Sequence, residues 1–348
     1  MAKLLGRSTY RMENHPAVLS SSAVGGGMER DGPLGSCFDY TDRSGMFGED
    51  SWEKAENKMQ QLALKQALHK AGLKQEDLNV LFAGDLLNQC TGSSYALRQF
   101  MVPFLGLYGA CSTMSESLLM ASVFVDSGLA DCAGAITSSH FCSAERQYRF
   151  PLEYGSQRPQ TAQWTATAAG AVLVGRSELH EPGRRIEVVH ACAGVIEDPG
   201  ITDANNMGAA MAPAAACLLK RYFIESGTQP KNYDRIFTGD LGQVGSDLLY
   251  QLLERSHIKI DDRHDDCGLL LYDRRQQDVH AGGSGCGCSA AVLAGHILPS
   301  MLMGKYRNVI LAATGALLSP TMVQQSDTIP GISHLVHLRL VDGKEGAH

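Results

Sequence analysis

The same order of elements occurs twice in this chain, and that repetition constrains the fold more than any single motif. In the first half, Asn79-Val80-Leu81-Phe82-Ala83 reads as a strand that ends in Gly84-Asp85-Leu86. A turn at Gly109-Ala110-Cys111-Ser112-Thr113 opens a helix, Leu118 to Val125, that is apolar nearly all round, and Ala133 to Thr137 is a further strand. In the second half, Arg235-Ile236-Phe237-Thr238 runs into Gly239-Asp240-Leu241. A glycine-rich turn from Gly282 to Ser289 then opens a helix from Ala290 to about Leu298, and Asn308 to Thr314 is again a strand. A repeat of this size exceeds any solenoid unit and points to duplication. Alternating strands and helices argue an α/β architecture, with mixed sheets covered by helices. The 348 residues suffice for two units of roughly 150 residues, divided at 1–178 and 179–348.

Other segments carry their own expectations. Residues 1–50 are rich in glycine and polar side chains and are predicted to wrap a surface as loops. The spacing of Trp52, Ala55, Met59, Leu62, Ala63 and Ala67 predicts a helix over 51–71 with Gly72 as its stop. Phe104 to Tyr108 reads as a buried strand, and Thr165 to Val174 as another. Between Asp240 and Gly282, the His264-Asp265-Asp266-Cys267-Gly268 cluster is predicted to begin a hairpin returning through Val279-His280.

Net charge is −7, with no basic run, which argues against a nucleic-acid partner. Met1 to Pro16 lacks the apolar core of a signal peptide. The uncharged stretches Val279 to Gly304 and Asn308 to Ser326 are broken by glycine, proline and polar residues, so no transmembrane helix is expected. The protein is therefore expected to be soluble, or peripheral through a partner. Ten cysteines without a C-x-x-C read as reduced thiols, with Cys90, Cys132, Cys142, Cys192 and Cys217 assigned to the core.

Cys111 sits where a strand turns into a buried helix. Free NH groups and the helix dipole favour an anion there, so a thiol in this place can ionise well below its usual pKa of about 8.5. The alternative is a small apolar residue filling a tight turn. The Gly282 to Cys288 turn lacks the lysine of a phosphate loop, and no Gly-x-Gly-x-x-Gly follows a strand there.

Several blocks together resemble one family. They are Gly84-Asp85-Leu86-Leu87-Asn88-Gln89, Gly109-Ala110-Cys111-Ser112-Thr113, Thr137-Ser138-Ser139-His140, Ala144-Glu145-Arg146-Gln147, Met211-Ala212-Pro213-Ala214-Ala215-Ala216, His264-Asp265-Asp266-Cys267-Gly268, Gly282-Gly283-Ser284-Gly285-Cys286 and Thr314-Gly315-Ala316-Leu317-Leu318-Ser319-Pro320-Thr321-Met322. The chain resembles the stage V sporulation protein AD family of spore-forming bacteria, within the thiolase-like superfamily, from about residue 10 to nearly the C-terminus. The resemblance implies an α/β thiolase-like fold of two duplicated halves, with mixed five-stranded sheets in a layered αβαβα arrangement. It also implies a homodimer that binds dipicolinic acid (pyridine-2,6-dicarboxylate) and acts with the other stage V sporulation A proteins in the membrane. A location at the spore inner membrane, or free in the sporulating cell, follows from it. No cofactor is expected, although calcium is a candidate companion of the ligand.

Thiolase-type condensation also needs two helper groups, His-His or His-Asn, to activate the thiol and polarise the carbonyl. At the matching positions this chain carries Asp240 and, between Gly283 and Gly285, Ser284. His140 and His264 are the remaining candidates for a base, with satisfied structural histidines as the alternative reading. A dianionic ligand would use the NH groups of Cys111 to Thr113 and of the Gly282 to Cys288 turn, with Ser112 and Ser284 as hydroxyl neighbours. Arg98, Arg146 and Arg149 are the candidate guanidinium partners, and Tyr148, Phe150 and Tyr154 the flat wall. Asp85 and Asp240 end equivalent strands and either bind calcium or cap the turns that follow. The expected function is dipicolinate binding; the rival is an acyltransferase in which Cys111 accepts an acyl group. A third possibility is a scaffold that only docks membrane partners.

Overall fold

The computed structural model describes residues 1–149, 158–179 and 183–343. In the first half, the strands are β1 (Ala17–Gly25), β2 (Val80–Gly84), β3 (Phe104–Gly106), β4 (Cys132–Ser139) and β5 (Ala168–Gly175). They lie in the order β1-β5-β4-β2-β3, antiparallel at the first two contacts and parallel at the next two. In the second half, β6 (Arg185–Cys192), β7 (Arg235–Thr238), β8 (His264–Asp266), β9 (Asn308–Ala316) and β10 (Gly331–Val341) repeat the pattern as β6-β10-β9-β7-β8, with the same sequence of directions. Each half is therefore a mixed five-stranded sheet. A short antiparallel contact, Ile186 with Val18 and Glu187 with Ala17, joins the two.

Side-chain alternation along the strands sets the layers. On β5, Ala169, Ala171 and Leu173 pack against α1 (Trp52–Ala71), whereas Ala168, Val172 and Val174 face a central core. That core contains α2 (Thr113–Asp126), through Met114, Leu118 and Val125, and α7 (Cys286–Val292). On β9, Val309 and Leu311 point to the same centre, while Ile310 and Ala312 join the core of α4 (Met207–Ser226) and α5 (Gly242–Glu254). Two remaining helices matter for the site: α3 (Phe141–Arg149) and the short α6 (Cys267–Leu271). α7 can lie on β5 because Gly170 and Gly287 carry no side chain. A Cβ at Gly287 would stand 2.2 Å from the Ala168 carbonyl oxygen.

Several sequence expectations are corrected. Within residues 1–50, Ala17–Gly25 is a nine-residue sheet strand rather than loop. Its serine run is tolerated because Ser20 and Ser21 donate to the helix carbonyls of Ala67 (2.7 Å) and Ala294 (2.8 Å). The segment from Phe104 is an edge strand with Leu105 46% exposed, not a buried one. The stretch after His264 is no hairpin: β8 pairs parallel to β7 and Asp266 caps α6 by accepting from Leu269 N at 3.2 Å. The helix expected from Ala290 starts at Cys286 and passes through a π turn, Leu293–Ile297. The strand expected over Thr165 to Val174 is two, Trp164–Thr165 and β5. All ten cysteines are free thiols; Cys132 and Cys192 are buried, but Cys90, Cys142 and Cys217 are only half-buried.

Candidate functional site

Cys111 stands two residues before α2 and is buried, as the junction of strand and helix predicts. Ala110 before it has φ 50°, a left-handed conformation costly for alanine that turns the chain sharply into the helix. Gly315 of β9 packs directly on this turn, where a Cβ would lie 2.2 Å from the Gly109 oxygen and 3.2 Å from Cys111 N. The second half thus contributes part of the wall around a first-half cysteine.

From the other side comes the matching turn. Gly283–Ser284 pairs in parallel with Trp164–Thr165, and this places the Ser284 hydroxyl 3.8 Å from the Cys111 sulfur. Ser284 donates its single proton to Asp240 Oδ2 at 3.1 Å, so the thiol donates to the serine oxygen. Gly285 N also donates to Asp240 Oδ2 (2.8 Å), and Thr314 Oγ1 donates to Oδ1 (3.0 Å). Gln163 clamps the same turn by donating from Nε2 to the carbonyls of Asp240 (2.7 Å) and Gly283 (2.8 Å). Burial pushes the Asp240 carboxyl up to about 7. Burial, with the Asp240 charge beside it, drives the Cys111 thiol well above its ordinary value. The expectation of a thiol activated by the helix terminus is therefore overturned: desolvation and a neighbouring carboxylate outweigh the dipole. Cys111 is expected to react with iodoacetamide more slowly than free cysteine throughout pH 6–8, a rate that alkylation followed by mass spectrometry measures directly.

Five of the NH groups foreseen as anion donors are also spent. Ser112 N and Thr113 N bond to Gly109 O and Ala110 O, while Gly285 N, Gly287 N and Cys288 N serve Asp240, Ser139 and Gly285 O. A cavity of about 30 Å³ remains, lined among others by Leu86, Cys111, Ala144, Tyr148, Thr165, Met207, Ser284 and Leu318. Among the described residues no Arg, Lys or His lines it.

Neither candidate histidine reaches this cavity. His140 accepts from Cys142 N through Nδ1 (3.2 Å), which leaves Nε2 to donate to the Gly45 carbonyl (2.9 Å). His264 bonds through Nε2 to Thr238 Oγ1 and through Nδ1 to the Tyr250 hydroxyl, both at 2.8 Å. Thr238 gives its own proton to Asp266, so His264 Nε2 is the donor and Nδ1 the acceptor. Burial lowers both imidazoles, His264 to about 4, and holds them neutral as structural groups. Arg146 is elsewhere too: it pairs with Glu53 and stacks over Trp52, facing a different depression from the one Ala144 and Tyr148 line. Arg98 lies over Tyr95. The side chain of Arg149, and Phe150 and Tyr154, lie outside the described residues.

Asp85 takes the capping role. It accepts from Leu87 N (2.9 Å), Ser93 N and Ser93 Oγ (both 2.7 Å), with no oxygen spare for an ion. Asp240 is equally committed, and among the described residues no group of three or more His, Cys, Asp or Glu is arranged to hold a metal. Of the predicted residues the structure thus brings together Cys111, Ser112, Asp240, Gly283 and Ser284, and leaves His140, His264, Arg146 and Asp85 apart. Thr165, Met207, Leu318, Gln163 and Thr314 were not singled out from the sequence. The duplication carried a signal for one of them: Thr314 stands two residues before the end of β9 as Thr137 does in β4, and Thr137 Oγ1 is a donor too, though across the halves, to Cys286 O at 3.0 Å.

Solved structures of the same fold include 3-oxoacyl-[acyl-carrier-protein] synthase III from Aquifex aeolicus VF5. It is 14% identical with a TM-score of 0.56, over 93% of this chain and 99% of that one. Human mitochondrial 3-ketoacyl-CoA thiolase, solved in complex with CoA, is 13% identical with a TM-score of 0.54, over 97% and 99%. The fold is thus thiolase-like. In sequence, the stage V sporulation protein AD of Bacillus subtilis (strain 168) is 46% identical over 332 residues, covering 95% of this chain and 96% of that protein. The family model described as stage V sporulation protein AD matches residues 6–339, and the chain belongs to that sporulation family.

Proposed function

We propose that this sporulation protein binds dipicolinic acid in the Cys111 cavity and does not carry out thiolase-type condensation. The observation that carries this reading is the surroundings of Cys111: a serine and a buried carboxyl stand where condensation needs imidazole, and both nearby histidines are bonded away from it. The ligand class is the one that the resemblance to this family implies. The lining supplies its form. A bare dianion would meet no cation among the described residues of the cavity and would lie near Asp240, so the neutral calcium chelate is the species favoured. The cavity now has room for one or two waters. Binding therefore requires the side chains of Tyr148, Met207 and Leu318 to part.

Calorimetric titration with dipicolinate tests this, with and without calcium and beside a benzoate control. Saturable binding, tighter with calcium, is expected, weakened roughly tenfold by Ser284→Ala or Cys111→Ala. His140→Ala should lower stability by about 2 kcal/mol and leave affinity unchanged, since its bonds are internal. No binding to the folded wild type would sink the proposal. Transfer of an acyl group from a thioester to Cys111 would favour the acyltransferase reading instead.

Partners follow the same reading. No helix among the described residues is long and apolar enough to cross a membrane; on this reading the protein acts at the spore inner membrane by docking on the other stage V sporulation A proteins. It does so as a homodimer joined through β3: that edge strand is unpaired on one side, and Met101 (87% exposed), Leu105 and Tyr108 flank it. Sedimentation should give a dimer for the wild type and a monomer for Leu105→Arg; an unchanged mass for that variant would reject β3 as the interface.

A further inference from the structure

A second concave surface, sharing no residue with the Cys111 cavity, lies along the outer face of α4. Pro213, Cys217, Lys220 and Ile224 follow one another at intervals of four, three and four, which places them in a single line on the helix. With Leu252 of α5 and Arg7 of the N-terminal segment they enclose a groove of about 560 Å³. Its floor is apolar and its end is not covered: Ile224 is 80% exposed, as large an apolar exposure as any in this helix.

The charges around the groove are unbalanced. Arg7, Lys220 and Arg221 have no acidic partner within ion-pair distance among the described residues, and Arg221 reaches only the Cys217 sulfur, at 4.0 Å. Two glutamates also line the groove, but each is engaged. Glu225 accepts from the backbone NH groups of Arg7 (2.8 Å), Ser8 (3.3 Å) and Thr9 (2.8 Å), and Glu197 is hydrogen-bonded with Cys217. Three uncommitted cations thus border an apolar trough on a chain whose net charge is −7.

We infer that this groove docks an acidic amphipathic helix of a partner protein. Apolar side chains of that helix at intervals of three and four would fill the trough, and its flanking carboxylates would meet Arg7, Lys220 and Arg221. A planar bilayer would touch the rim at Ile224 but not the floor at Cys217 and Leu252.

The test places the photo-crosslinker p-benzoylphenylalanine at position 224 of the full chain in sporulating cells, and sequences the crosslinked peptides. The expected product is a segment of another protein with net negative charge and apolar residues at helical spacing. Its yield should fall at least fivefold in Lys220→Glu/Arg221→Glu, and by a smaller factor in Lys220→Gln/Arg221→Gln, with melting temperatures unchanged. Crosslinks to lipid, to a second copy or to a neutral or basic segment would overturn the inference. So would a yield indifferent to both substitutions, or no crosslink from a folded protein.

Discussion

Replacing Asp240 with alanine is expected to lower the unfolding free energy by about 4 kcal/mol. The carboxyl is fully buried and accepts three hydrogen bonds, from Thr314 Oγ1, Ser284 Oγ and Gly285 N. Alanine would strand all three donors, at roughly 1–3 kcal/mol apiece, with partial relief from relaxation or an entering water. These donors come from β9 and from the turn leading into α7, so the loss would also loosen the clamp beside Cys111. Asp240→Asn keeps one acceptor and should cost less, about 2 kcal/mol. It also removes the charge that raises the thiol pKa, so Cys111 should alkylate faster than in the wild type. Urea denaturation measures the first effect. A loss under about 1 kcal/mol for Asp240→Ala would show that the network is not tied together as described.

The second large effect is a stability maximum on the acid side of neutrality, between about pH 4.5 and 6.5. Burial pushes His190, His264 and His334 down to about 4, and burial with the charges of His190 and Arg339 pushes His337 to about 3. In the unfolded chain these rings titrate near 6.5. Below that pH the unfolded state binds protons that the folded state refuses, so the stability they contribute is lost as pH falls from about 6.5 toward 3–4. Each such ring costs on the order of 3 kcal/mol by pH 4, and four together approach the whole stability of an ordinary domain.

The carboxyls act in the opposite direction. Burial, with the charge of Asp85, raises Glu56 to about 8, and burial raises Asp240 and Glu116 to about 7. Folded, they keep protons that the unfolded chain releases above about pH 4.5, so stability falls as pH rises through 7 and 8. Between the two limits the sets offset each other. Urea midpoints from pH 3.5 to 9 should trace an arch, with about 1–2 kcal/mol lost per carboxyl between pH 6.5 and 8. A midpoint that holds or climbs across that interval would show these carboxyls to be ionised in the fold.

Much of the architecture was legible in the residue pattern. The duplication, the helix over Trp52–Ala71 and the burial of the helix after Cys111 rest on local periodicity, and local periodicity is what a sequence displays. β1 was hidden because its serines look like loop; the hydroxyls of Ser20 and Ser21 are satisfied by carbonyls of helices distant in sequence. The site was legible in part. Equivalent strand ends and glycine turns pointed to Asp240 and Ser284, whereas His140 and His264 are indistinguishable from bases until their partners are known. Met207 and Leu318 carry no signal at all, since an apolar side chain in a cavity wall looks like any other.

By itself the sequence determined the duplicated α/β halves, the family, and the absence of imidazole at the helper positions, because strand and helix periods and motif spacing are written along the chain. Only the tertiary structure decided that the Cys111 thiol is held protonated, that the NH groups of Ser112, Thr113, Gly285, Gly287 and Cys288 are already spent, and that both candidate histidines face away. Protonation and hydrogen bonding are set by the groups brought within about 4 Å across the two halves, and Cys111 is more than a hundred residues from both Asp240 and Ser284 along the chain before folding joins them.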